Sequence, residues 1–138
     1  MGEKGMLLKG FSQFELLLDK QIEVSKRYCQ FTSLALISAG DKIDSVTKVV
    51  ENSVRTSDIM FDLGDSLGIL MPCTDSEGAK RALERYRESC KGFASIQYGM
   101  GSFPEEQKSA NDLMNIALDR LYQNKDKDNA LDLLEEKK

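Results

Sequence analysis

The sequence predicts an α+β domain with a βαββαβ core, a mostly antiparallel sheet, an extra N-terminal helix and C-terminal helices. Three observations predict it. Segments of strand character and of helical period alternate along the chain in that order. Two apolar runs, Ile59–Leu63 and Leu67–Met71, flank Gly64-Asp65-Ser66, the strongest turn signal in the chain. A clean amphipathic stripe of Ala110, Leu113, Met114, Ala117, Leu118 and Leu121 marks a long late helix. Strand, helix, hairpin, helix, strand is the split βαβ or ferredoxin-like arrangement, with helices on one or both faces of the sheet.

Residues 1–10 show no clear period and are expected to form a tail or linker. The domain then covers 11–129, and 130–138 form a short last helix or tail. Ser12 with Glu15 is a capping box that opens a helix to Tyr28, with Phe14, Leu17, Leu18, Ile22 and Tyr28 at helical spacing. Phe31–Ile37 reads as a buried strand that ends at Ala39-Gly40. Asp41 caps a second helix, striped by Ile43, Val46, Val49 and Val50. Valine prefers strands, so here the spacing has to outweigh the propensity.

Pro72 stops the hairpin. Thr74 and Glu77 suggest a second capping box. The helix it opens turns Ala79, Ala82, Leu83 and Tyr86 inward. Its outer side carries Lys80, Arg81, Glu84, Arg85 and Arg87, read as a solvated charged face. Phe93–Met100 alternates as a strand, and Phe103-Pro104 starts a loop. Ser109 with Asp112 opens the late helix, where Tyr122 is expected in the core. Asn124–Asn129 reads as a polar break before a short helix at Ala130–Leu134.

The chain has 138 residues, enough for one domain with a proper core. Its net charge of −4 argues against a nucleic-acid partner, because phosphate binding needs a concentrated basic face, and it leaves room for a local basic patch. No apolar stretch approaches the length of a membrane span, and no secretory apolar segment opens the chain. No membrane insertion and a cytoplasmic location are the expectation. Histidine is absent, which removes the usual zinc ligand sets and His-based nucleophile activation. Cys29, Cys73 and Cys90 are widely spaced with no CxxC, and are expected as buried or half-buried free thiols. Residue chemistry alone shows no catalytic constellation.

Several segments together resemble the GGDEF domains of bacterial diguanylate cyclases, over about Phe11 to Asn129. Lys26-Arg27-Tyr28 before the first strand resembles that family's helix end. Arg55-Thr56-Ser57-Asp58 resembles its RxxD element. Gly68–Thr74 resembles the strand after the signature, and Ser95–Gly101 resembles a later strand. Leu113–Lys125 is similar to the family's LLxxADxALYxAK helix, with Leu121, Tyr122 and Lys125 in register. The resemblance implies a nucleotide-cyclase-like core.

The signature itself is broken. Leu63, Gly64, Asp65, Ser66 and Leu67 stand where the family has GG(D/E)EF, and the stretch from Asp58 to Pro72 is one residue short. Ser66 replaces a carboxylate, and Asp65 reads as a turn residue before a metal ligand. The first strand ends in Ile37-Ser38-Ala39-Gly40, where the family places another metal carboxylate. The family's nucleotide-contacting segment after that strand is largely missing. Two metal ions and fixed carboxylates supply the charge compensation that this phosphoryl transfer depends on. The resemblance therefore implies a degenerate member: not an enzyme, with no catalytic residue, no metal and no cofactor. Lys125, which touches nucleotide phosphate in active relatives, is then a solvated residue at a helix end.

Three functions follow from it. The first is an inactive regulatory or interaction domain of a bacterial signalling protein, binding a protein partner or its own copy. The second is a cyclic di-GMP receptor through Arg55 and Asp58, since RxxD is the family's inhibitory site for that ligand; the alternative for these two residues is a structural pair on the surface at a helix–strand junction. The third is an active diguanylate cyclase, against which the missing carboxylates weigh.

Overall fold

A computed structural model describes residues 6–64, 66–93, 95–105 and 108–131, with side chains for 10–64, 66–93, 95–105 and 108–123. The elements in order are β1 (Met6–Lys9), α1 (Phe11–Tyr28), β2 (Thr32–Ser38), a 3-10 turn (Gly40–Lys42), α2 (Ile43–Glu51), β3 (Ile59–Asp62), β4 (Ser66–Pro72), α3 (Ser76–Ser89), β5 (Gln97–Phe103) and α4 (Ala110–Leu131). The strands form one sheet in the order β1-β3-β4-β2-β5. β2, β3, β4 and β5 pair antiparallel, and β1 joins β3 in parallel. The α+β fold expected from the sequence is the fold observed.

The sheet is covered on both faces. β2 is buried along its whole length, and its alternation assigns the two cores. Ala35 and Ile37 meet Val46 and Val50 of α2, and Ala79 and Tyr86 of α3. Leu34 and Leu36 meet Phe14, Leu18 and Ile22 of α1, and Leu113 and Leu121 of α4. Phe14 and Phe61 pack edge to face with ring centroids 4.8 Å apart, which ties α1 to β3. Each large aliphatic side chain buried this way contributes about 1.5–3 kcal/mol. The valine-rich α2 is a helix because its stripe closes one of these cores.

α4 lies directly on β5. A side chain at Gly99 would fall on the carbonyl oxygen of Ala117 and the backbone nitrogen of Leu121. The helix can approach the strand only because no Cβ is there.

Several expectations are corrected. Met6–Lys9 is a strand paired with Ile59–Asp62, so the leading segment is not wholly tail. α1 starts after Gly10 with no side-chain cap, so Ser12 does not cap it. Tyr28 is exposed at 62%, beyond the last inward turn. The strand expected at Phe93–Met100 lies at Gln97–Phe103, since Phe93 and Ile96 pack from the loop onto the α2–α3 core. Phe103, read as a loop, is a buried strand residue. α3 is capped by Asp75, whose carboxylate accepts the Gly78 N–H at 2.9 Å, and not by Thr74. The Ser109 cap is realised, its hydroxyl accepting the Asp112 N–H at 3.1 Å. α4 continues to Leu131 through the polar run, so Asn124–Asn129 does not break it. Residues 132–138 lie outside the described residues.

Candidate functional site

The two ends of the β3–β4 hairpin hold the residues singled out by the sequence. At the turn, Asp62 accepts the Gly64 N–H through its carboxylate at 3.0 Å. The Leu63 N–H donates to the Ser66 carbonyl at 2.9 Å. Gly64 has φ of 98°, a conformation that glycine adopts without steric cost. Leu63 packs against the α1–α4 core, and Leu67 is fully buried opposite Ile37. Asp65 lies outside the described residues.

At this end of the sheet Ser38 stands in register with Ser66 on one side and Gln97 on the other. All three are neutral. The carboxylate of Asp62 is turned into its own hairpin. Among the described residues no group of three or more His, Cys, Asp or Glu is placed to hold a metal ion. Divalent ions of the magnesium class take oxygen ligands and need carboxylates to balance their charge. The described donors do not fit such a site.

Arg55 and Asp58 are brought together at the opposite end. The Asp58 side chain is fully buried, while that of Arg55 is 50% exposed. One Asp58 oxygen accepts the Arg55 backbone N–H at 3.1 Å, and the other accepts the guanidinium at 3.2 Å. The Asp58 N–H returns to the Arg55 carbonyl at 3.0 Å. The same guanidinium nitrogen donates to the Thr74 hydroxyl, which donates to the Pro72 carbonyl at 2.9 Å. RxxD here is a closed turn that clips the entry of β3 to the exit of β4. Only the arginine reaches the surface.

Sequence reasoning missed Thr74 and Tyr86 as parts of this end. Thr74 is expected as a cap, and its hydroxyl instead completes the Arg55 clip. Beneath, Ser33 donates to the Thr74 carbonyl at 2.8 Å and shares a hydrogen bond of 2.8 Å with Ser102. These buried hydroxyls lock β2, β5 and the start of α3 together. Tyr86 is buried with no hydrogen-bond partner for its hydroxyl among the described residues. Burial pushes its pKa up to about 12, with the negative charge of Asp58 adding to the effect. No sequence signal marks that juxtaposition, because it depends on how α3 packs beside the β3 entry.

The remaining singled-out residues separate. Tyr122 is exposed at 55%, not in the core. Cys29 and Cys73 are exposed and only Cys90 is buried, which corrects the expectation of inward thiols. The Lys125 side chain lies outside the described residues. No helix of the described residues is long and apolar enough to cross a membrane.

No protein-family model matches this sequence, and no curated protein matches it. Solved structures do match its fold. The GGDEF domain of YfiN from Pseudomonas aeruginosa has a TM-score of 0.76 and 17% identity, over 88% of this chain and 86% of that one. The GGDEF domain of FimX from Pseudomonas aeruginosa has a TM-score of 0.75 and 18% identity, over 84% and 88%. The diguanylate cyclase SiaD from Pseudomonas aeruginosa, solved in complex with its activator SiaC, has a TM-score of 0.71 and 18% identity, over 83% of this chain and 54% of that one. This chain has the GGDEF-domain fold.

Proposed function

We propose that the chain is a catalytically inactive GGDEF-like domain that serves a cytoplasmic bacterial signalling protein as a regulatory and interaction module. One observation carries this reading. The sheet end where the fold's enzymes hold their metal carboxylates presents Ser38 opposite Ser66, flanked by Gln97. Neutral hydroxyls and an amide cannot balance two divalent ions and a triphosphate. The Arg55–Asp58–Thr74 clip supports the same reading, because it ties the entry of β3 to the exit of β4 without any ligand. A domain of this fold partnered by a second protein has a precedent in SiaD with its activator.

Incubation with GTP and Mg²⁺ or Mn²⁺ tests it. No cyclic di-GMP is expected, and sustained product formation would overturn the reading.

A second reading keeps cyclic di-GMP as a ligand, and the half-exposed guanidinium of Arg55 favours it. Asp58 would first have to release both of its bonds to Arg55. Calorimetry with cyclic di-GMP on wild type and Arg55→Ala decides this. Heat from the wild type that vanishes in the variant supports a receptor, and none from either removes it.

A further inference from the structure

We propose that the outer edge of β5 is a docking groove for an extended acidic segment of a partner protein, an inference that rests on the interaction-module reading above. β5 ends the sheet, with β2 on its inner side. A groove of about 320 Å³ runs along its outer side between α3 and α4. Lys80 and Arg87 of α3 form one bank and Arg120 of α4 forms the other. Glu84 is the single acid among the described residues of the lining. The chain as a whole carries −4, so this groove is a local reversal of sign.

Each guanidinium has a neutral group among its partners. Arg87 lies over the Tyr98 ring, 5.3 Å from its centroid. Arg120 donates to the Met100 carbonyl at 2.8 Å. The ion pairs found among the described residues include neither Lys80 nor Arg87. An arriving carboxylate therefore gains charge-assisted hydrogen bonds from pre-positioned donors without first breaking an ion pair of those two residues. Arg120 also covers an outward carbonyl of the edge strand. Recognition then rests on acidic side chains more than on full strand addition. Tyr98, the one aromatic ring among the described residues of the lining, is already stacked by Arg87 and offers no open platform for bases. That favours an acidic peptide over single-stranded nucleic acid.

The test is fluorescence anisotropy at low salt with a labelled peptide of alternating glutamate and threonine. A lysine–threonine peptide and a single-stranded oligonucleotide serve as comparisons. Wild type should bind the acidic peptide and not the basic one. Lys80→Glu with Arg87→Glu should weaken binding by at least about tenfold. Arg81→Glu with Arg85→Glu makes the same change in net charge on α3 outside the groove lining, and should weaken it far less. A melting curve on each variant confirms that it is folded. Equal losses in the two double variants, no binding by the wild type, or tighter binding of the oligonucleotide would each overturn the proposal. GTP turnover in the same preparations tests the inactive-domain reading separately, so the two can fail independently.

Discussion

Arg55 holds both oxygens of the Asp58 carboxylate, one through its backbone N–H at 3.1 Å and the other through its guanidinium at 3.2 Å. Asp58 is fully buried, so its charge is tolerated only because these donors are in place. Arg55→Ala leaves that charge without its guanidinium and should cost about 3 kcal/mol. Thr74→Val removes one hydroxyl from the same clip and should cost about 1 kcal/mol. Urea unfolding measures both. An Arg55→Ala protein as stable as wild type would mean that the pair has no structural role.

Gly99 and Gly101 both lie under α4, but they are expected to respond differently to alanine. A Cβ at Gly99 meets the backbone of Ala117 and Leu121, which cannot move without shifting the helix. A Cβ at Gly101 meets the Ile116 Cγ2 methyl and the Leu113 Cδ1 carbon, side-chain atoms that can give without the helix backbone shifting. Gly99→Ala should lose about 3 kcal/mol and Gly101→Ala clearly less. The ranking is read from thermal melts, and a reversed order would show that α4 packs differently on β5.

Alkaline pH should destabilise the fold in a defined window. Burial raises the pKa values of Tyr86 and Tyr98 to about 12, against an ordinary value of 10.0. The folded state therefore favours the neutral phenols. Their contribution is complete below pH 10 and is lost as the pH climbs to about 12. Tyr86→Phe should remove part of this loss and leave neutral-pH stability equal or slightly higher, since its hydroxyl has no partner among the described residues. Unfolding midpoints across that range, with the phenolate absorbance, provide the check.

The three thiols should separate by accessibility. Cys29 and Cys73 are exposed, whereas Cys90 is buried, and burial raises its pKa. A thiol reagent should modify two cysteines quickly in the native protein and the third only on unfolding. Fast labelling of Cys90 would place the end of α3 outside the core.

The hairpin, the central strand and the late helix were legible because each carries a strong local pattern. Gly64 forces the turn, and the stripe from Ala110 to Leu121 faces one core. What escaped was decided at longer range. Met6–Lys9 is a strand only because β3 leaves its edge open for it. The shift of β5 towards Phe103 follows from its register with Thr32, which no local alternation encodes. Thr74 and Asp75 both suit a cap, and the choice fell to Asp75 because Arg55 engages the Thr74 hydroxyl. At the candidate site the neutral letters of the hairpin were visible in the sequence. The pairing of Arg55 with Asp58 is open from their spacing, but the burial of Asp58 and the link to Thr74 are not, since they need the backbone turn between the two residues.

β2 draws its two neighbours from far along the chain. Thr32 faces Pro72 on one side and Phe103 on the other. During synthesis a strand buried along its whole length therefore waits, half paired, until β5 emerges. Long-range pairing of this kind slows folding and leaves a sticky edge exposed in the meantime. A chain interrupted before Phe103 would present β2 to its neighbours in the cell. The full fold thus protects the molecule from its own centre.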